Sequence, residues 1–298
     1  VTKSVKEVST AKLFKIINDM SVKYSVNKLC KMIGVSRSGY YKWLNRKDKP
    51  STLKDKENEE IKQILLDLHK KYRGTYGRKR LCLYLNKLGY HINHKRVYRL
   101  MKELKIQSVI RKKVYKRKFK PSTVAENVLS RNFKADKPLQ KLCMDITYIP
   151  TGQNRQRFIY MNAVKDLYND EIIAYDLSVR NDTMLVQNTL NKLLHMDLDT
   201  QCILHTDQGF QYTRKQYSNQ LKAAGITQSM SRRGNCWDNA PIEIFFGHFK
   251  SELIYLIDTN DISDIETKIH EYIKFYNEER IQEKYNGMSP VEYRTHAG

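Results

Sequence analysis

The chain has 298 residues, 40% of them hydrophobic and 29% charged, with a net charge of +22, enough length for two or three domains. No run of 18 apolar residues occurs, so no membrane-spanning helix is expected, and Lys3, Lys6 and Lys12 are not followed by the apolar stretch of a signal peptide. Five scattered cysteines without a CxxC pair exclude a disulfide framework and point to reduced cytosolic thiols, with Cys143 and Cys202 reading as core residues.

The charge is segregated. Residues 1–140 carry 37 Lys+Arg against 11 Asp+Glu, a balance of +26, whereas residues 141–298 carry 17 against 21, a balance of −4. A basic half joined to a slightly acidic half implies polyanion binding and catalysis on separate modules.

In chain order, residues 24–46 read as a helix-turn-helix. Val26, Leu29, Cys30 and Ile33 form the inner face of a first helix, and Gly34 supplies the turn. Ser36 caps a second helix whose Tyr40, Trp43 and Leu44 pack inward, leaving Arg37, Ser38, Tyr41 and Lys42 to face DNA. Lys47 to Lys56, with Pro50, reads as a linker. A second helical unit follows. Ile61, Ile64, Leu65 and Leu68 mark one helix, and Leu81, Leu83, Tyr84 and Leu85 start another that ends at Gly89. Asn93 caps a third with Val97, Leu100, Met101 and Leu104 inside and a basic face of Lys95, Arg96, Arg99 and Lys102 outside.

Arg111 to Lys120 holds seven basic residues in ten, including Arg111, Lys112, Lys113, Lys116, Arg117 and Lys118, and is expected to fold onto a phosphate backbone. Beyond it, strands are predicted at Cys143–Ile149, Arg157–Val164 and Ile172–Ser178. A helix at Met184–His195, a short strand before Asp207, a helix at Lys215–Ala224 and a strand at Ile226–Met230 come next. A helix with Ile242, Phe245, Phe246, Phe249 and Leu253 as its buried stripe and Asn239 as N-cap follows, then an amphipathic helix over Ile262–Arg280. The expected domains are 1–48, 49–110, a basic linker at 111–136, and an α/β core at 137–298.

Three carboxylates stand where a structural reason for an acid is weak. Asp145 lies in mid-strand, where an ionised group is costly to bury unless paired or metal-bound. Asp207 ends a short apolar run, at the carboxyl end of a strand where open sheets place their sites. Glu243 follows after 35 intervening residues, in the first turns of a helix and on the flank of its apolar stripe. Two strand ends and a helix flank can meet in one pocket. Grouped carboxylates resist ionisation unless cations hold them, and oxygen-only ligands suit Mg²⁺ or Mn²⁺. On the same helix, Gly247 and Lys250 share a stripe with Glu243, which makes Lys250 a candidate phosphate contact.

Several segments together carry a family resemblance: Leu29 to Trp43, Tyr76 to Leu81, Met144 to Tyr148, His205 to Gly209, Gly234 to Ala240, and Ser289 to Tyr293. On these the chain resembles the DDE transposases of the IS-three family of bacterial insertion sequences, specifically their downstream catalytic part, which is similar to retroviral integrases. Thr206, Phe210 and Pro241-Ile242 depart slightly from the family pattern. The resemblance places the catalytic and metal-binding carboxylates on Asp145, Asp207 and Glu243. It also implies a ribonuclease-H-like mixed sheet, which the order of predicted strands and helices fits. Two divalent ions, double-stranded DNA as partner, a homo-oligomer on DNA, and a cytoplasmic, nucleoid-associated bacterial location complete what it implies. An upstream frame with its own helix-turn-helix and coiled coil is often fused by frameshifting in this family; no heptad repeat is visible here. Two other readings stay open on the residues alone. One is a DNA-binding regulator of transposition with an inactive core, the other a different ribonuclease-H-like nuclease.

Overall fold

The computed structural model describes residues 9–47, 53–109, 125–152, 156–232 and 235–296. The chain divides into two compact units, residues 1–61 and 62–298. The first holds α1 (Thr10–Met20), α2 (Val26–Ile33) and α3 (Arg37–Lys47). Its core is Phe14, Ile17, Leu29, Cys30 and Tyr40, with Val26, Ile33, Trp43 and Leu44 packed against it. Gly34 ends α2 in the left-handed conformation at φ 77°, where a residue without Cβ meets no steric penalty. The Oγ of Ser36 accepts from the Gly39 N–H at 3.3 Å, as expected of a cap. Helix α1 was not expected; with two buried residues, Phe14 and Ile17, its periodic signal is short.

Helix α4 spans Leu53–Lys71, so residues 53–56 are helical and the expected linker is shorter than its composition suggested. Asp55 in the first turn and His69, Lys70 and Lys71 in the last complement the helix dipole, which is why a polar, charged stretch still folds as helix. In the second unit α5 (Arg78–Lys87) and α6 (His94–Glu103) follow. Asn93 caps α6, its side chain accepting from the Arg96 N–H.

A five-stranded sheet then forms from β1 (Lys141–Thr151), β2 (Arg157–Asp166), β3 (Ile172–Ser178), β4 (Ile203–Thr206) and β5 (Thr227–Met230). Its spatial order is β3-β2-β1-β4-β5. The first three strands pair antiparallel, while β4 joins β1, and β5 joins β4, in parallel. This is the mixed sheet of a ribonuclease-H-like fold. Alternation along β1 sends Leu142 and Met144 to one face and Cys143 and Ile149 to the other. The first face is covered by α7 (Thr183–Leu194) and α8 (Lys215–Ala223). The second is covered by α9 (Ala240–Phe249), a π-helical turn at Lys250–Ile254, and α10 (Ile262–Glu278).

A last helix, α11 (Pro290–His296), carries a capping box. The Ser289 N–H donates to Glu292 Oε2 at 2.9 Å, and the Glu292 N–H donates back to Ser289 Oγ at 3.2 Å. Its Tyr293 stacks on Tyr285 with ring centroids 4.0 Å apart.

Candidate active site

Parallel pairing relates two of the three carboxylates. The β1–β4 ladder ends with Cys143 matched to His205, so Asp145 on β1 and Asp207, just past the end of β4, each follow the last matched pair by two residues. Both lie on the sheet face that α9 covers, because each is two residues beyond a matched pair. Asp145 Oδ1 accepts from the Ile146 N–H at 2.7 Å, and Asp207 Oδ1 accepts from the Gly209 N–H at 2.8 Å. Burial raises the Tyr212 phenol's pKa, and the charges of Asp145 and Asp207 add to it; burial and then Tyr160 raise that of Tyr148, with smaller contributions from the same two carboxylates, so both acids lie in one electrostatic neighbourhood. Tyr212 is held in place by donating to Asn162 Oδ1 at 2.9 Å.

Gly209 serves a close approach. A Cβ built on it would stand 2.9 Å from Asp207 Oδ1 and 3.2 Å from both Gln211 Oε1 and a Tyr212 ring carbon. Only glycine lets this backbone amide come up to the carboxylate.

Glu243 arrives from α9, and polar contacts fix where that helix begins. Asn239 was expected to cap it, but its side chain makes no capping bond. Instead Asn239 Nδ2 donates to the Met144 carbonyl at 3.4 Å, tying the helix start to the residue before Asp145. The buried Lys165 ammonium donates to the Pro241 carbonyl at 3.0 Å and pairs with Asp170 at 2.9 Å. Burial opposes the Lys165 charge, but Tyr276 and Asp170 more than offset this and raise its pKa. Lys284 also pairs with Asp170.

Just upstream, fully buried Asp238 accepts from the Arg232 backbone and guanidinium, from Arg131 Nε at 2.7 Å, and from Asn127 at 3.0 Å. The Arg232 hydrogen bonds hold its carboxyl far below the usual range. Lys165, Asp170 and Asp238 were not singled out from sequence, and Asn239 was singled out only as a cap. The Asn-Cys-Trp-Asp-Asn run was visible as a motif, but nothing in it told a brace from a ligand.

All three carboxylates are half-buried. The structure brings Asp145 and Asp207 together. Glu243 sits over the same sheet face, but among the described residues no three His, Cys, Asp or Glu side chains are grouped closely enough to hold a metal ion. The donor chemistry, carboxylate oxygen throughout, fits a hard divalent cation at the Asp145–Asp207 pair. His205, two residues before Asp207, is fully buried between Ser229 Oγ at 2.9 Å and Ser231 Oγ at 3.1 Å. Burial lowers its pKa to about 4, so it is neutral and structural.

The candidate DNA contacts fall in several places. Arg37, Ser38, Tyr41 and Lys42 are exposed on α3, with the Arg37 guanidinium 5.7 Å from the Tyr41 ring. On α6, Lys95 and Arg99 are exposed and Arg96 is half-buried; Arg99 pairs with Glu103 at 3.7 Å. Lys250 is half-buried and opens the π-helical turn. Arg111, Lys112, Lys113, Lys116, Arg117 and Lys118 lie outside the described residues.

Comparison with known proteins identifies the family. Residues 135–236 match the integrase core domain family, residues 243–297 match a second integrase core domain family, and residues 56–114 match an HTH-like domain. The chain is 38% identical to InsK of insertion sequence element IS150 from Escherichia coli (strain K12), over 94% of this chain and 97% of that protein. It is 30% identical to the transposase InsF of insertion sequence IS3A from the same strain, over 93% and 96% of the two chains. The HTLV-2 integrase catalytic core domain in complex with magnesium aligns over 53% of this chain and 98% of that one, with 10% identity and a TM-score of 0.39.

Proposed function

The chain belongs to the IS-three family of insertion-sequence transposases, and from that membership we propose that it cuts the 3′ ends of its own element and joins them to a second DNA strand at Asp145, Asp207 and Glu243. The protein is a DNA transposase with a helix-turn-helix-like domain ahead of an integrase core. One observation carries the finer reading. Asp145 on β1 and Asp207 just past the end of β4 each follow the last matched pair of these parallel strands by two residues, and the start of the Glu243 helix is tied to β1 at Met144.

Held by these three carboxylates, two Mg²⁺ or Mn²⁺ ions would supply charge neutralisation at the phosphate and an activated oxygen nucleophile. The remaining work belongs to the chain. The Gly209 amide orients the Asp207 carboxylate and the Ile146 amide that of Asp145. Lys165 and Asn239 fix the helix that presents Glu243. Residues 1–48 and 49–110 act as DNA-binding modules and 111–136 as a basic linker, ahead of the core at 137–298. Arg37, Ser38, Tyr41 and Lys42 on α3, and Lys95, Arg96 and Arg99 on α6, read the terminal inverted repeats. The segment from Arg111 to Lys118 and Lys250 hold phosphates. Both element ends must be gripped at once, so the protein works as a homo-oligomer on DNA, in the bacterial cytoplasm at the nucleoid. No described helix is long and apolar enough to cross a membrane.

The test is nicking and joining of element-end duplexes in Mg²⁺ by Asp145→Asn, Asp207→Asn and Glu243→Gln. Each variant is expected to lose both steps and keep DNA binding. Near-normal nicking by any of them refutes the triad. A wild-type chain that binds the ends but never cuts is instead a regulator with a silent core.

A further inference from the structure

Beside the Glu243 helix lies a cleft of about 950 Å³ walled by α5, α6 and the junction of α9 with the π-helical turn. Five cations line it, Arg78, Lys79, Arg80, Lys102 and Lys105, against two carboxylates, Glu283 and Glu252, which are taken up by Lys79 and Arg80. Arg78 and Lys102 both lie against the ring of Tyr98, with the guanidinium carbon 5.4 Å and the ammonium nitrogen 5.1 Å from its centroid. Lys105 lines the same cleft just past the end of α6.

Neighbouring cations are matched to acids from the C-terminal part: Lys71 to Glu279, Lys79 to Glu283, Arg80 to Glu252 and Lys87 to Glu292. Among the described residues, no carboxylate pairs with Arg78, Lys102 or Lys105, and residues 110–124 contain no acid that could. The Tyr98 ring face softens the repulsion between two of these cations, but it does not neutralise them. The opposite wall presents His248 and Ser251 beside Glu252, whose charge is already met by Arg80 and Arg280. His248 is neutral near pH 7, because burial and then Arg280 lower its pKa to about 4, and Ser251 offers a hydroxyl. A concave, unneutralised cationic site of this kind asks for a polyanion.

The location narrows which one. His248 and Ser251 are five and eight residues beyond Glu243, about 7.5 and 12 Å along a helix rising about 1.5 Å per residue. Phosphates on one DNA strand advance about 3.4 Å per nucleotide. The geometry points to this cleft as a seat for the sugar-phosphate backbone of the element end, roughly two to four nucleotides from the phosphate being cut, with Arg78, Lys102 and Lys105 as its phosphate ligands. This rests on the reading of Asp145, Asp207 and Glu243 as the cutting site. It differs from the exposed α6 face in being blind to sequence, because it grips phosphate rather than base edges.

The test compares the full chain with the triple variant Arg78→Gln/Lys102→Gln/Lys105→Gln, and with Arg78→Gln and Lys102→Gln singly. All three cations are exposed, so the fold should survive, as thermal melting would show. Binding to an element-end duplex is measured across a salt series. The slope of log affinity against log salt should fall by roughly two to three in the triple variant and by about one in each single variant, at about 0.9 for each phosphate no longer neutralised. Methylphosphonates placed two to four nucleotides from the cut should weaken wild-type binding and leave the triple variant indifferent. An unchanged slope, or a methylphosphonate effect that persists in the triple variant, overturns the inference. A change seen only with an unrelated target duplex also overturns it, by assigning the cleft to target DNA. If wild type cuts normally and the slope does not move, only the cleft fails. If wild type never cuts in Mg²⁺ yet the slope moves, the cutting site fails and the cleft stands as a DNA seat.

Discussion

Replacing Glu252 should be the most destabilising single change at the junction between the α5–α6 unit and the sheet. Its carboxylate is 8% exposed and accepts two hydrogen bonds from Arg280, each at 2.7 Å. It also accepts from Arg80 at 3.2 Å and from the Tyr272 hydroxyl at 3.0 Å. Arg280 itself is fully buried. Burial alone would push the Glu252 pKa up, but the Arg280 hydrogen bonds and charge, with Arg80, pull it down to about 2. Glu252→Gln leaves a buried guanidinium without its counter-charge, a change that typically costs about 3–5 kcal/mol. Proton linkage gives a similar figure: a fall from 4.5 to about 2 corresponds to about 3 kcal/mol at about 1.4 kcal/mol per unit.

The exposed pairs across the same junction set the contrast. Glu279, Glu283 and Glu292 meet Lys71, Lys79 and Lys87 with side chains about a third to more than half exposed, and such pairs contribute about 0–1 kcal/mol each. Urea unfolding followed by circular dichroism at pH 7 should rank Glu252→Gln well below Glu279→Gln, Glu283→Gln and Glu292→Gln. The double replacement Glu252→Met/Arg280→Met should recover much of the loss, because it removes both charges from the interior. If Glu252→Gln loses less than about 1 kcal/mol, in the range of an exposed pair, the network is solvated and the reasoning fails.

Three further outcomes follow from the site. Gly209→Ala should keep the chain folded but sharply reduce cleavage, because its new Cβ would stand 2.9 Å from Asp207 Oδ1; cleavage near the wild-type rate would show that the carboxylate moves aside freely. Stability should fall as pH drops from about 6.5 toward 4, because His205 and His248 titrate near 4 when folded and near 6.5 when unfolded, so the unfolded chain takes up protons first. That stability is fully present above about 6.5, and a urea midpoint that is flat across this window would contradict the burial of both rings. Asp238→Asn should weaken the brace before α9 and lower cleavage more than DNA binding, since its partners Asn127, Arg131 and Arg232 hold the segment leading into α9 and none is among the proposed DNA contacts; equal loss of both activities would place its role elsewhere.

What the sequence disclosed was set by periodicity. The strands at Arg157 and Ile172 and the helices at Thr183 and Lys215 begin within a residue of where apolar composition and spacing put them, because their apolar residues pack into the two cores on either side of the sheet. The placement of Asp145 and Asp207 relative to one another was not legible. It depends on how the chain beyond β4 sits beside β1, and 51 residues separate the end of β1 from the start of β4. Helix α11 had a readable signal, Ser289 to Glu292 as a capping box, but it is too short to show a period.

Glu252 shows most clearly why the rest stayed hidden. In sequence it lies seven residues after Phe245 and three after Phe249, at the edge of the apolar stripe of its helix, with nothing to mark its buried partners. The structure instead widens that helix into a π turn from Lys250, where both Leu253 and Ile254 enter the core. A π turn adds a residue to the hydrogen-bonded ring, so every side chain beyond it leaves the phase that a 3.6-residue repeat predicts. The shared stripe of Glu243, Gly247 and Lys250 therefore ends where the turn begins, and within the turn Glu252 meets Arg280 and Arg80. The same turn links the two activities. It lies seven residues past Glu243 and touches, through Glu252, the helix whose first residue is Arg78. Displacement of α5 by DNA in the adjoining cleft would thus act on the helix that presents Glu243, through a buried ion pair rather than a flexible surface contact.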